Sequence, residues 1–239
     1  MTPAIIFFPI GNGDTSLIKL ADGRTVLIDY ADLRDANDPY DKRCDLAKEL
    51  RAELSGQDKI DVVCFSHLDI DHIKKASEFF WFDHAAAYQD EGRVKIGEMW
   101  LPAGALTETG VDGDARVIRQ EARHRLRKGS GIKIFSRPDS LKGLLAGMGL
   151  TVDERKHCIV DAGTYVPGFT TSGVEQVAFF VHSPFAWKTD DRGYEERNAD
   201  SAMFQVTFKE GGRDFFALFG ADVDSDALSP AILSPSSSA

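Results

Sequence analysis

The sequence predicts an α+β fold, on three observations: short apolar runs rich in β-branched and aromatic residues crowd both ends of the chain, helical periodicity is confined to the middle, and Gly/Asn/Asp turns separate the runs. The opening runs "AIIFFPI", "TSLIKL" and "TVLIDY", punctuated by "GNGD" and "ADGR", read as an antiparallel meander. A polar loop, "ADLRDANDPYDK", leads into "RCDLAKELRAEL", where Leu46, Ala47, Leu50 and Leu54 recur at helical spacing before Ser55-Gly56 stops the segment. "IDVVCFS" is a nearly continuous apolar strand, the pattern of a strand buried on both faces. "EMWLPA" reads as a strand, "DARVIRQEARHRLRK" as a basic helix ending at Gly129, and "SLKGLLAGMGL" as a helix interrupted by glycines. "HCIVDAG", "QVAFFVHSPF", "SAMFQVTF" and "DFFALFGAD" are four further strands. Residues 1–227 form one domain in this reading, and the Ser/Pro-rich stretch 228–239, "LSPAILSPSSSA", is a tail that packs little.

With 239 residues, 43% of them hydrophobic, the chain can bury a substantial core. Its 28 basic against 38 acidic residues give a net charge of −10, which works against a broad phosphate-binding surface, so a phosphate ligand would have to be attracted locally. The start "MTPAIIFFPIGNGD" has no basic n-region and only a short apolar run, so neither a signal peptide nor a spanning helix is expected. A cytoplasmic location without a membrane partner follows. Cys44, Cys64 and Cys158 are odd in number and lack a CxxC, which suggests neither a disulfide framework nor a thiolate zinc knuckle.

The chemistry is concentrated in "FSHLDIDHI", Phe65 to Ile73, where the central apolar strand ends. His67, Asp69 and Asp71 alternate, so along an extended segment their side chains share a face, and His72 follows where the chain must turn. Carboxylates a few ångströms apart repel, and a divalent cation removes that conflict; imidazole and carboxylate suit Zn²⁺, Mn²⁺ or Fe²⁺. The competing interpretation is a solvated acidic turn whose histidines cap a helix, with Asp71 as its N-cap. An EF-hand at residues 222–233 fails because Ala227 and Leu233 stand where the calcium loop needs Gly and Glu. "GNGD" lacks the spacing and lysine of a phosphate loop and reads as a tight turn.

"SHLDIDH" resembles the His-x-His-x-Asp-His signature of the metallo-β-lactamase superfamily, with Asp69 in place of the second His. In this variant it is most similar to the hydrolase domain of bacterial DNA-uptake competence proteins and their soluble relatives. "FFPIGNGDTSLIKL" and "TVLIDY" are similar to that group's Gly-x-Gly-Asp turn and Asp-ended strand, and "NADSAMFQVTF" with "FALFGAD" to its Asn-x-x-Ser and Gly-Asp strands. The resemblance implies a four-layer αβ/βα sandwich, incomplete at its C-terminal part, and up to two divalent ions, preferably zinc. It assigns His67 and Asp69 to the first ion, Asp71 and His72 to the second, and Asp222 as a bridge, with Asp71 also catalytic. Asp14 and Asp29 would orient ligands, His182 would be a further ligand or proton donor, and Asn198 and Ser201 would close hydrogen bonds around the site or simply begin a strand. The implied activity is hydrolysis of a phosphodiester, nucleotide or nucleic acid, by a metal-bound hydroxide; the alternative is a binding or interaction module that kept the fold without turnover.

Two departures stand out. Lys74-Lys75-Ala76 occupies the place of the family's Gly-Gly, and Lys74 and Lys75 beside the motif could grip a phosphate. No His follows position 182, although superfamily members normally supply a final His ligand later. A shortened C-terminal sheet would leave an uncovered edge near "DFFALFG", favouring self-association or a partner protein.

Overall fold

In the computed structural model, which describes residues 2–170, 177–187, 190 and 197–223, the chain forms two compact units, residues 1–100 with 109–132 and residues 101–108 with 133–239. The tail expected at 228–239 lies outside the described residues. Strands and helices mix in both units, the α+β organisation that the sequence patterning predicts.

In the first unit, β1 (Ala4–Phe7), β2 (Ser16–Lys19) and β3 (Thr25–Ile28) form the antiparallel meander. Asp22 closes the turn between β2 and β3 by accepting a hydrogen bond from the Arg24 backbone N–H at 2.9 Å. Helix α1 (Leu46–Leu54) begins where Asp45 accepts from the Lys48 N–H, buries Leu46, Leu50 and Leu54 on one stripe, and ends at Ser55 in the left-handed conformation. The chain then enters β4 (Lys59–Cys64), which runs parallel to β3 and to β6 (Val94–Pro102). A two-residue strand β5 (Phe80–Trp81) pairs with β6. The sheet therefore changes from antiparallel to parallel pairing at β3, and the carboxyl ends of β3 and β4 lie side by side, with Ile28 opposite Cys64. Such strand ends are where sites in open α/β sheets are built.

Helix α5 (Gly113–Lys128) anchors this unit through a buried ion pair. Arg125 donates through Nε to Glu121 at 2.6 Å, and its other nitrogens donate to the carbonyls of Ile96, Gly97 and Gly131. Glu121 also accepts from His84 N and Nδ1 at 2.9 and 3.0 Å. Four hydrogen bonds from Arg125 and three to Glu121 offset the desolvation of the two charges, which is what makes their burial tolerable.

The second unit contains α4 (Ala103–Thr107), β7 (Ile132–Phe135), α6 (Asp139–Gly147), α7 (Val152–Arg155) and β8 (Ile159–Val160), with β7 and β8 parallel. Thr151 and Glu154 form a reciprocal capping box at the start of α7. Strands β9 (Val177–Ser183), β10 (Met203–Glu210) and β11 (Arg213–Phe219) make an antiparallel sheet in the order β11-β10-β9. Phe204 is packed edge-on against Phe135 and Phe179, and Phe179 against Phe169. β11 is thinly covered: Phe215, Phe216 and Leu218 are 52%, 63% and 57% exposed. Among the described residues no helix is long and apolar enough to cross a membrane.

Candidate metal centre

The motif begins one residue past the end of β4. Phe65 N–H still donates to the Trp100 carbonyl, the chain bends at Ser66, and Asp69 is again extended. The next residues form α2 (Ile70–Ile73), a single turn whose N-cap position is Asp69, without a side-chain capping bond. Asp71 is thus neither the N-cap nor part of an extended row: the alternation expected from the sequence stops at Asp69, and Asp71 and His72 project from a helical turn.

Main-chain bonds clamp that turn. The Asp14 N–H donates to the Asp71 carbonyl at 3.2 Å, Tyr30 N–H to that of His72 at 2.9 Å and Asp32 N–H to that of Lys74 at 3.0 Å. Gly13 lets the meander come this close: a Cβ built there would lie 2.5 Å from the Asp71 carbonyl oxygen.

The buried Asp29 carboxylate organises the side chains. It follows β3 in a left-handed conformation, φ +58°, and accepts from Ser66 N–H at 2.7 Å, Ser66 Oγ at 2.6 Å and His72 Nδ1 at 2.8 Å. Because the carboxylate only accepts, His72 carries a proton on Nδ1. Ser66 Oγ gives its proton to Asp29, so its lone pair is left to accept from His67 Nδ1, 3.1 Å away. His67 thereby carries a proton on Nδ1 as well. The two buried rings lie 4.0 Å apart, centroid to centroid, tilted by 49°. His67 Nε2 is 3.6 Å from the half-exposed Asp69 carboxylate, and Asp71 is also half-buried. Two imidazoles fixed through Nδ1 beside carboxylates constitute the donor set that a borderline divalent ion takes, with the supporting hydrogen bonds that orient metal-ligating histidines. Zn²⁺, Mn²⁺ or Fe²⁺ would fit these residues.

The sequence reading gave Ser66 no role, and nothing but its place between strand end and first His marked it. Lys75 adopts φ +62°, the conformation for which glycine is suited; its N–H donates to Asp114 and its Nζ to Asp32 and the Arg34 carbonyl. Those bonds hold it there and engage the ammonium that the sequence left available for a phosphate.

The remaining candidates belong to the second unit. His182 is buried within β9, its ring edge-on to Phe180 at 4.9 Å. Asn198 and Ser201 form the turn before β10, where the Ser201 N–H donates to the Asn198 carbonyl and its hydroxyl to that of Arg197. Arg197 itself pairs with Glu108. Asp222 is exposed in the turn after β11, next to Ala221 at φ +46°. In the first unit, His84 is bonded to the buried Glu121.

No family model matches the chain, and no curated protein does. Among solved structures it is similar to the native FEZ-1 metallo-β-lactamase from Legionella gormanii, at 12% identity and a TM-score of 0.40, over 91% of this chain and 60% of that one. The chain thus spans less than two thirds of that protein's length.

Proposed function

We propose that the chain is a metal-dependent hydrolase acting on a phosphodiester. The observation that carries this is the Asp29-Ser66 network, in which Asp29 accepts from Ser66 and from His72 Nδ1 while Ser66 Oγ lies 3.1 Å from His67 Nδ1, so that one carboxylate and one hydroxyl orient two buried imidazoles; histidines serving only as core would not need a shared orienting network. By the assignment that the motif resemblance implies, His67 and Asp69 would hold a first ion and Asp71 and His72 a second, with Asp222 as a further carboxylate ligand. A bound divalent ion supplies Lewis acidity and lowers the pKa of coordinated water. The protein's own part is orientation. Asp29 keeps the imidazoles aimed, the clamp on α2 fixes where Asp71 and His72 sit, and Leu68 and Ile73, both 1% exposed, keep the underside of the motif dry. The reduced Cys44, Cys64 and Cys158 suit a cytoplasmic location.

The test pairs elemental analysis with hydrolysis of bis-p-nitrophenyl phosphate in Zn²⁺, Mn²⁺ and Mg²⁺. We expect turnover in the wild type and its loss in Asp71→Ala, with an unchanged circular dichroism spectrum, because the substitution removes a half-buried carboxylate and no core area. Unaltered turnover in the variant would exclude the assignment of Asp71. Metal bound without turnover in the wild type would make the chain a binding module instead.

A further inference from the structure

Helix α5 reaches the motif through its first turn. Lys75, which follows the C-cap of α2, has φ +62°, a left-handed conformation that crowds any β-carbon and that glycine takes freely. It is also the N-cap position of α3 (Ala76–Phe79), where its side chain makes no capping bond. The first amides of a helix have no partner within it. Here one carboxylate from another element meets two of the amides: Asp114 accepts from the Lys75 N–H on Oδ2 at 2.9 Å and from the Ser77 N–H on Oδ1 at 2.8 Å.

The rest of the turn shows what this contact adds. A helix of four residues cannot hold its own shape, and the carbonyls of Asp71, His72 and Lys74 are bonded by the N–H groups of Asp14, Tyr30 and Asp32. The next donor along the chain, the Lys75 N–H, is taken by α5, which packs against both α2 and α3. Asp114 is half-buried, and Ala115, Val117 and Ile118 after it are buried, so its backbone belongs to a packed helix. A charged acceptor makes stronger bonds than a neutral one, and a carboxylate in the first turn of α5 also suits the dipole of that helix. Both bonds come from main-chain amides, so they need no particular residue at 75, whereas the cost of the left-handed conformation depends on the β-carbon there.

We propose that Asp114 is a positioning residue of the metal centre: it holds Lys75 in the left-handed conformation and so fixes the exit of the turn from which Asp71 and His72 project. The consequence for an ion rests on the metal reading of the motif; the hold on residues 75–77 does not.

The experiment is a double-mutant cycle with two readouts. Zn²⁺ affinity is measured by competition with a chromophoric chelator, and amide hydrogen exchange over residues 70–77 is measured in the metal-free chain. Asp114→Ala should weaken Zn²⁺ binding about 10-fold and speed exchange over 70–77, with β4 protected as in the wild type. Asp114→Asn offers one acceptor oxygen where two are used, so it should give an intermediate loss, and it serves if the alanine variant does not fold. In a Lys75→Gly background the same Asp114→Ala should cost less than about threefold, because glycine keeps the conformation unaided. Comparing the two backgrounds cancels the loss of the Lys75 Nζ bonds to Asp32 and the Arg34 carbonyl, which is common to that arm. A purely structural role would lower stability to urea equally in both backgrounds and leave the affinity alone. Unchanged affinity, an equal cost in both backgrounds, or exchange over 70–77 as slow in Asp114→Ala as in the wild type would overturn the proposal. A wild type that binds no Zn²⁺ would refute the metal reading instead; faster exchange over 70–77 in Asp114→Ala would then still support the hold on the turn, and unchanged exchange would refute it too.

Discussion

Asp29 shows how much one side chain can decide. It touches no proposed ion, yet it sets the tautomers of His67 and His72 through Ser66 Oγ and His72 Nδ1. Asp29→Asn retains the shape and, in one amide orientation, presents an N–H to His72 Nδ1, which moves the imidazole proton to Nε2 and blocks it as a ligand. We expect a loss of metal affinity of about 10- to 100-fold, measured by competition with a chromophoric chelator; unaltered affinity would show that the carboxylate does not orient the ring. The four groups of "HLDIDH" stood out in the sequence because imidazoles and carboxylates so close together have few uses. Ser66 was not, because a hydroxyl between a strand and a histidine carries no signature. Lys75 was legible only as a departure, and its left-handed backbone gives the reason a smaller residue suits the place.

At the scale of elements, legibility followed pattern and punctuation. α1 and α5 were read from helical periodicity and the meander and β4 from apolar runs set between turn residues, whereas α3 (Ala76–Phe79), β5 and β7 are two to four residues long and carry neither signal clearly. The run "HCIVDAG" yields only the two-residue β8. α5 was legible as a basic helix, but its inward Glu121–Arg125 pair was not, since sequence cannot tell a charged residue that turns inward from one that turns out. Glu121→Gln should cost about 3–5 kcal/mol in urea denaturation, because it leaves the Arg125 guanidinium buried without its counter-charge. Burial pushes the Glu121 carboxyl up, but hydrogen bonds and charge from Arg125 and the bonds from His84 outweigh it and leave it below its usual 4.5. A carboxylate depressed on folding contributes stability that is present above its unfolded pKa and lost as pH falls through the folded one. The wild type should therefore weaken on acidification below the ordinary Glu range, and Glu121→Gln should show a shallower pH dependence over the same interval. Parallel curves would place the acid sensitivity elsewhere.

For the whole molecule, the net charge of −10 averages over 28 basic and 38 acidic residues spread along the chain. The exposed apolar side chains of β11 bear on association. Phe216→Lys with Leu218→Lys places charge on that strand, and sedimentation should show smaller species than the wild type at micromolar concentration; a wild type that is monomeric there would remove any role for β11 in self-assembly. The clamp on α2 has a consequence of another kind, in the order of events during folding. Six neighbouring residues look like a nucleus that an ion could gather early. Their ring orientation, however, is set 43 residues away in sequence by Asp29, and their backbone is held by segments on either side of β2 and β3. These are long-range closures, made late and together. A synthetic peptide covering residues 65–76 should accordingly hold Zn²⁺ far more loosely than the folded chain, and an added ion should slow unfolding while leaving the refolding rate nearly unchanged.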